Sequence, residues 1–214
     1  MTDGFQSNSI SYSPSKPLQT MSNQSSSLNT SIISSEFTNP NLEVLYTAEQ
    51  IKQRVDQLGQ QISHDYAGNK NLVLIGILKG SCIFMADLMR AVDLELIIDF
   101  MAVSSYKDGT VSSGDIEILK DLTHPIRGKD VIICEDIVDT GLTLFRLTEI
   151  LGSRGANSIR VATLLDKPET RKKEIKIDYC GFQVPNKFVV GCGLDAAGRY
   201  RNLPFIGVVK NPNA

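Results

Sequence analysis

The chain reads as an α/β protein: a parallel sheet covered by helices on both faces. Two observations predict this. Leu72 to Leu78 (LVLIGIL), Glu95 to Val103, Val131 to Cys134 and Ser158 to Leu165 are largely apolar runs of strand length, as expected of strands buried on both sides. Stretches with apolar residues at helical spacing alternate with them, which is the pattern of strand–helix–strand units. In such sheets ligands bind beyond the carboxyl ends of the strands, and chemistry is sought there.

The elements follow in order. Met1 to about Pro40 is dense in Ser, Asn, Thr and Gln, and Phe5, Ile10, Leu18, Ile32 and Ile33 keep no period. Such a stretch buries too little apolar surface to offset its ordering entropy, so residues 1–40 are expected to be a disordered tail and 41–214 the folded domain. Thr47 with Gln50 is a capping box opening a helix with Ile51, Val55, Leu58 and Ile62 on one face. The first apolar run ends at Lys79-Gly80-Ser81, and a helix through Phe84, Leu88 and Met89 follows. After the second run, Ser104 to Asp115 is polar, and Ile116, Ile118 and Leu122 alternate as in a strand. A third run, at Val131, leads through a turn into a helix over Leu142 to Arg154. The fourth run follows, and Lys176 to Phe182 and Lys187 to Gly191 supply short strands.

A net charge of −2 gives no global basic field for nucleic acid. No apolar run reaches the roughly 18 residues that span a bilayer, and the start has no secretory pattern. Lys16 is the only basic residue before Lys52, unlike an Arg-rich transit peptide. Cys82, Cys134, Cys180 and Cys192 form no CxxC pair and read as reduced, buried thiols of a cytoplasmic protein.

The segment that decides function is Val131 to Thr143, VIICEDIVDTGLT. A buried strand is followed by two adjacent carboxylates, and Asp139-Thr140-Gly141 then turns into an amphipathic helix. Backbone N–H groups at the helix start, with the Thr140 and Thr143 hydroxyls, can cradle a phosphate. Glu135 and Asp136 would repel a phosphate but suit two neighbouring ribose hydroxyls, so the segment reads as a ribose 5-phosphate holder. The plain alternative is that Asp139 only caps the helix and that Glu135 and Asp136 are solvated loop charges.

The full pattern resembles, nearly residue by residue, the phosphoribosyl diphosphate signature of the type I phosphoribosyltransferases, and within them the bacterial hypoxanthine-guanine branch. The resemblance spans roughly Tyr46 to Val209. It implies a twisted parallel sheet flanked by helices, with a small hood built largely from the C-terminal segment. It implies magnesium-dependent purine salvage, in which hypoxanthine or guanine and phosphoribosyl diphosphate give IMP or GMP and diphosphate. In residue terms it implies ribose 5-phosphate bound by Glu135, Asp136, Asp139, Thr140, Gly141, Leu142 and Thr143. Diphosphate falls to Lys79, Gly80 and Arg201, with a cis peptide before the lysine. The purine falls to Lys167 at the 6-oxo group, Phe188 stacking on the ring, and Val189 and Asp195. Glu135, Asp136 and Asp195 are the implied magnesium ligands, and Ser105-Tyr106 the start of a lid. The resemblance also implies a homodimer or homotetramer. Leu142 stands where animal and protozoan members usually carry Lys, as is usual in the bacterial branch.

Bare chemistry agrees with much of this. A departing diphosphate needs cations, and Lys79 and Arg201 suit that work. A base must take a proton as the purine becomes nucleophilic, and Asp139 is so placed; His64 and His124 read as solvated loop residues. An oxocarbenium-like centre needs cover from water, which suits the polar Ser104 to Gly114 segment as a lid. Phe188 among valines reads as core on composition alone. GILKGS lacks the G-x4-G-K-[ST] spacing of a P-loop. A phosphoribosyltransferase for adenine, xanthine or a pyrimidine is the rival enzyme class, and an RNA-binding regulator the non-enzymatic one. Lys167 opposes adenine, because an ammonium donates to a 6-oxo acceptor and not to a 6-amino group.

Overall fold

The computed structural model describes residues 39–105 and 116–210 of the chain. The expected tail, the lid residue Tyr106 and most of the lid segment lie outside the described residues. A six-stranded sheet forms the centre, in the order β4-β3-β2-β5-β6-β7. Its strands are β2 (Leu72–Leu78), β3 (Ile97–Ser105), β4 (Ile116–Lys120), β5 (Asp130–Val138), β6 (Ser158–Asp166) and β7 (Tyr179–Gln183). The four pairings among β3, β2, β5, β6 and β7 are parallel, whereas β4 closes one edge antiparallel to β3. The sheet is therefore mostly parallel, as expected, with β4 as its one antiparallel strand among the described residues.

The apolar runs divide their residues between two cores, as strands with a period of two must. Leu72 and Leu74 of β2, Ile132 and Cys134 of β5, and Ala162 and Leu164 of β6 face the core beneath helices α1 (Ala48–Asp65) and α2 (Cys82–Ala91). Val73, Ile75 and Ile77, Val131 and Ile133, and Val161 face α3 (Leu142–Ser153) through its Leu144, Leu147 and Leu151. Each fully buried side chain of this kind contributes about 1.5–3 kcal/mol. The capping box forms as expected: the Gln50 N–H donates to Thr47 Oγ1 at 3.3 Å, and the Thr47 N–H to Gln50 Oε1 at 2.9 Å.

The hood is a three-stranded antiparallel sheet in the order β1-β9-β8, made of β1 (Leu42–Tyr46), β8 (Val189–Val190) and β9 (Ile206–Val209). Two strands come from the C-terminal segment, as the resemblance implies. The third is the first strand of the domain, and nothing in its own sequence shows that it pairs with β9. Val189, Cys192, Leu194, Ile206 and Val208 join the α1–α2 core, so the hood is seated on that layer.

Several boundaries move. β5 continues through both carboxylates to Val138, because Glu135, Ile137 and Val138 still pair with Thr163, Leu165 and Asp166 of β6. β3 starts at Ile97, where pairing with Val73 begins. β7 starts at Tyr179, since the Asp178 carboxylate accepts the Val161 N–H at 3.0 Å just before it. His64 is in the last turn of α1 and not in a loop. All four cysteines are free, but Cys82 and Cys180 are only half-buried.

Candidate active site

The carboxyl ends of β2 and β5 frame a cavity of about 280 Å³. β2 ends at Leu78, and the Leu78–Lys79 peptide is cis. The turn after it is held from behind: buried Ser81 donates from Oγ to the Ile77 carbonyl at 2.6 Å. Lys79 is left exposed and Gly80 buried, with Gly80 lining the cavity.

β5 brings Glu135 and Asp136 to the same place. Glu135 is 9% exposed. Burial pushes its carboxyl well above the usual carboxylate range, and the neighbouring Asp136 adds to this. Burial raises Asp136 as well; the Ile137 and Asp136 N–H groups and the Arg201 guanidinium oppose that shift, and Asp195 adds to it. Two carboxyls crowded in this way are poised to gain from hydroxyl donors or a cation.

Asp139 follows, exposed, and among the described residues its carboxylate has no hydrogen-bond or ion-pair partner. It does not cap α3. The N-cap is Gly141, at φ 79° and without a side-chain cap, a backbone state that suits glycine. The first-turn N–H groups therefore have no intrahelical acceptor, and the Leu142 N–H makes only a long 3.5 Å contact with Thr140 Oγ1, outside the helix. Thr140, Gly141 and Thr143 line the cavity beside Asp139; Leu142 does not. A helix start open in this way binds anions.

The hood turn completes one side. The Asp136 carboxylate lies against Gly80, and a Cβ on Gly193 (φ 100°) would overlap the Gly80 carbonyl. Arg201 pairs with Asp195 at 2.5 Å and donates to the Gly193 carbonyl, also at 2.5 Å. Gly80, Asp136, Gly193, Asp195 and Arg201 are thus one contiguous patch. The larger cleft of about 730 Å³ between α1, α2 and the hood shares only Arg201 with the candidate residues. Size is the weaker guide here, since that cleft lies away from the carboxyl ends of the strands.

Lys167 follows β6 directly and is 8% exposed. Its N–H donates to the Val138 carbonyl at 2.9 Å, which ties it to the end of β5. Phe188 is 46% exposed and Val189 buried, so Phe188 is not the core residue its valine neighbours predict. Neither it nor Lys167 lines the 280 Å³ cavity. Ser105 ends β3. Arg171 and Asp166, an ion pair mostly shielded from solvent behind the Thr140–Gly141 turn, escape sequence reasoning altogether.

The carboxylates Glu135, Asp136 and Asp195 carry oxygen donors of the kind magnesium takes. Among the described residues no three His, Cys, Asp or Glu side chains converge as a ready metal cage.

A model of the phosphoribosyl transferase domain matches residues 41–197. The hypoxanthine-guanine phosphoribosyltransferase of Streptococcus mutans is 54% identical over 168 residues, 78% of this chain and 93% of that protein. The Staphylococcus aureus protein of the same name is 53% identical, with the same 78% and 93% covered. A solved hypoxanthine phosphoribosyltransferase from Staphylococcus aureus has a TM-score of 0.78 at 52% identity, covering 80% of this chain and 94% of that one. With the strand-end cavity and the open helix start in place, these likenesses make the chain a member of the type I phosphoribosyltransferase family, in the branch of the bacterial hypoxanthine-guanine enzymes.

Proposed function

We propose that this protein transfers the 5-phosphoribosyl group of phosphoribosyl diphosphate to hypoxanthine and guanine, giving IMP or GMP and diphosphate in purine salvage. The observation that carries the reading is the meeting, in one cavity, of an open helix start, two crowded carboxyls and the Gly80 turn. The bond from ribose C1 to the diphosphate oxygen breaks with its electrons on the leaving group. Purine N9 supplies the pair for the new bond, and the purine gives up one proton.

Each residue then has a task. The first-turn N–H groups of α3, with Thr140 and Thr143, hold the 5-phosphate, and Leu142 contributes only its backbone. Glu135 and Asp136 accept from the ribose hydroxyls. Lys79, the Gly80 N–H and Arg201 stabilise the diphosphate as its charge develops. Asp139 takes the purine proton. Lys167 donates to the 6-oxo oxygen, Phe188 stacks on the ring, and Val189 and Asp195 complete the base site. Glu135, Asp136 and Asp195 would hold magnesium, which would supply the remaining neutralisation of the diphosphate.

No helix among the described residues is long and apolar enough to cross a membrane, and we place the enzyme in the cytoplasm. We take it to be a homodimer or homotetramer, the state that the family resemblance implies. The decisive assay supplies phosphoribosyl diphosphate and magnesium with hypoxanthine, guanine, xanthine, adenine or uracil, and measures nucleotide and diphosphate. Hypoxanthine should serve at least as well as guanine, adenine should be inert, and excess chelator should stop turnover. Absence of product from both oxopurines would refute the reading.

A further inference from the structure

Arg171 opens the run Arg171-Lys172-Lys173-Glu174, which in sequence looks like a solvated charged face. Three of the four are exposed, and Arg171 is not. Its side chain is 15% exposed and ion-paired to Asp166, itself 9% exposed. Asp166 ends β6, sits opposite Val138 in the pairing with β5, and immediately precedes Lys167. The head of Arg171 thus grips the strand end from which Lys167 projects.

The stem of Arg171 meets the other half of the site. A Cβ placed on Gly141 would lie 3.1 Å from Arg171 Cδ and 3.3 Å from its Nη1. The backbone that follows is stitched to the same turn, with the Lys172 and Lys173 N–H groups donating to the Thr140 carbonyl at 2.9 and 3.1 Å. Arg171 Nη1 is buried without a hydrogen-bond partner. An unpaired buried donor disfavours its own position, so Asp166 and the packing on Gly141 must hold the side chain there.

We propose that Arg171 is a positioning residue: through Asp166 and Gly141 it fixes the distance between the purine floor at Lys167 and the phosphate turn at Thr140–Gly141. This rests on the assignment of those two places to base and phosphate given above. A ligand that spans both places, such as a purine mononucleotide, depends on their spacing, whereas ribose 5-phosphate uses the turn alone. Displacements near 1 Å at such sites cost up to about a hundredfold.

The test compares the dissociation constants of IMP and ribose 5-phosphate, and the KM for hypoxanthine, in wild type and Arg171→Met. The expected result is a loss of IMP affinity and a rise in hypoxanthine KM of roughly 10–10²-fold, with ribose 5-phosphate changed less than about threefold. Arg171→Lys keeps the charge but lacks the planar two-armed head, and should recover part of the loss. If Arg171→Met fails to fold because it strands the Asp166 carboxylate, the double variant Asp166→Asn/Arg171→Met removes both charges and carries the same expectation. A lowered melting midpoint with unchanged IMP affinity and unchanged KM in the folded protein overturns the proposal, as does equal weakening of IMP and ribose 5-phosphate. A wild type inert with both oxopurines would instead strike the functional reading itself, before any variant is made.

Discussion

The two ends of the central sheet treat their acidic residues in opposite ways. At the amino end, Asp130 opens β5 and accepts from Asn69 and Asn157 at 2.7 Å and from Ser158 at 2.5 Å. Burial alone would raise its carboxyl, but the bonds from Ser158, Asn69 and Asn157 outweigh it and hold the group below the usual range. Asp65 is likewise held down, chiefly by the Tyr179 hydroxyl at 2.9 Å and also by Arg160. At the carboxyl end of the same strand β5, Glu135 and Asp136 are driven upward chiefly by burial, with Asp136 adding to the shift of Glu135 and Asp195 to that of Asp136, and among the described residues the Asp139 carboxylate stands without a partner. Acceptors satisfied within the protein stabilise it; acceptors left wanting are free for a substrate. The contrast separates scaffold from site along nine residues of one strand.

The comparison is most directly broken at Asp139. Asp139→Asn keeps the shape and removes the carboxylate proposed as the base. Because Gly141 is the N-cap, the variant should leave the melting midpoint where it is, while turnover falls by roughly 10²–10⁴-fold. Affinity for phosphoribosyl diphosphate should change less, since the helix-start N–H groups are untouched. Steady-state kinetics beside a thermal melt checks this, and wild-type-like turnover in folded protein would remove Asp139 from the mechanism.

Lys167→Met next probes the contact proposed for the purine 6-oxo group. A hydrogen bond from a charged donor is worth about 1.5–3 kcal/mol, so kcat/KM for hypoxanthine should fall about 10–150-fold. Adenine should stay as inert as before. An unchanged hypoxanthine kcat/KM would detach Lys167 from the 6-oxo group.

At the scaffold end the sign reverses. Asp130→Ala strands three donors and should cost about 1.5–3 kcal/mol of stability, with kcat/KM per folded molecule unchanged. The folded Asp130 carboxyl lies below its unfolded value of about 3.9. Its stabilisation is therefore complete above that pH and lost as pH falls through the folded value. Below about pH 4 the gap between wild type and variant should narrow in acid melts. A variant that melts normally but turns over slowly would erase the distinction between the ends.

The sequence carries more of the site than of its setting, for physical reasons. VIICEDIVDTGLT shows strand, carboxylates, turn and helix because each is encoded locally. Strand length is not local: β5 reaches Val138 only because β6 runs beside it. The pairing of β1 with β9 joins residues at opposite ends of the domain, and no property of Leu42–Tyr46 announces it. Phe188 sits among valines but is exposed, since the strand beside it begins one residue later. Arg171 is the clearest case, for a cation in a charged run is buried only by what the fold lays over it.

The smallest expected effect concerns the segment before the domain. Residues 1–36 hold no apolar residues at helical or strand spacing, and the family match begins only at residue 41. Hydrophobic stabilisation requires a face that can be removed from water, and this composition offers none. Deleting Met1 to Glu36 also leaves Leu42–Tyr46, and with it the hood pairing to β9. The shortened chain should therefore keep its kcat/KM, and its melting midpoint should stay within about 2 °C of the full chain, a shift that for a domain of this size corresponds to less than about 1 kcal/mol. A fall of many degrees would show that the segment docks on the domain and contributes to it. A change in turnover at constant stability would show that it reaches the site.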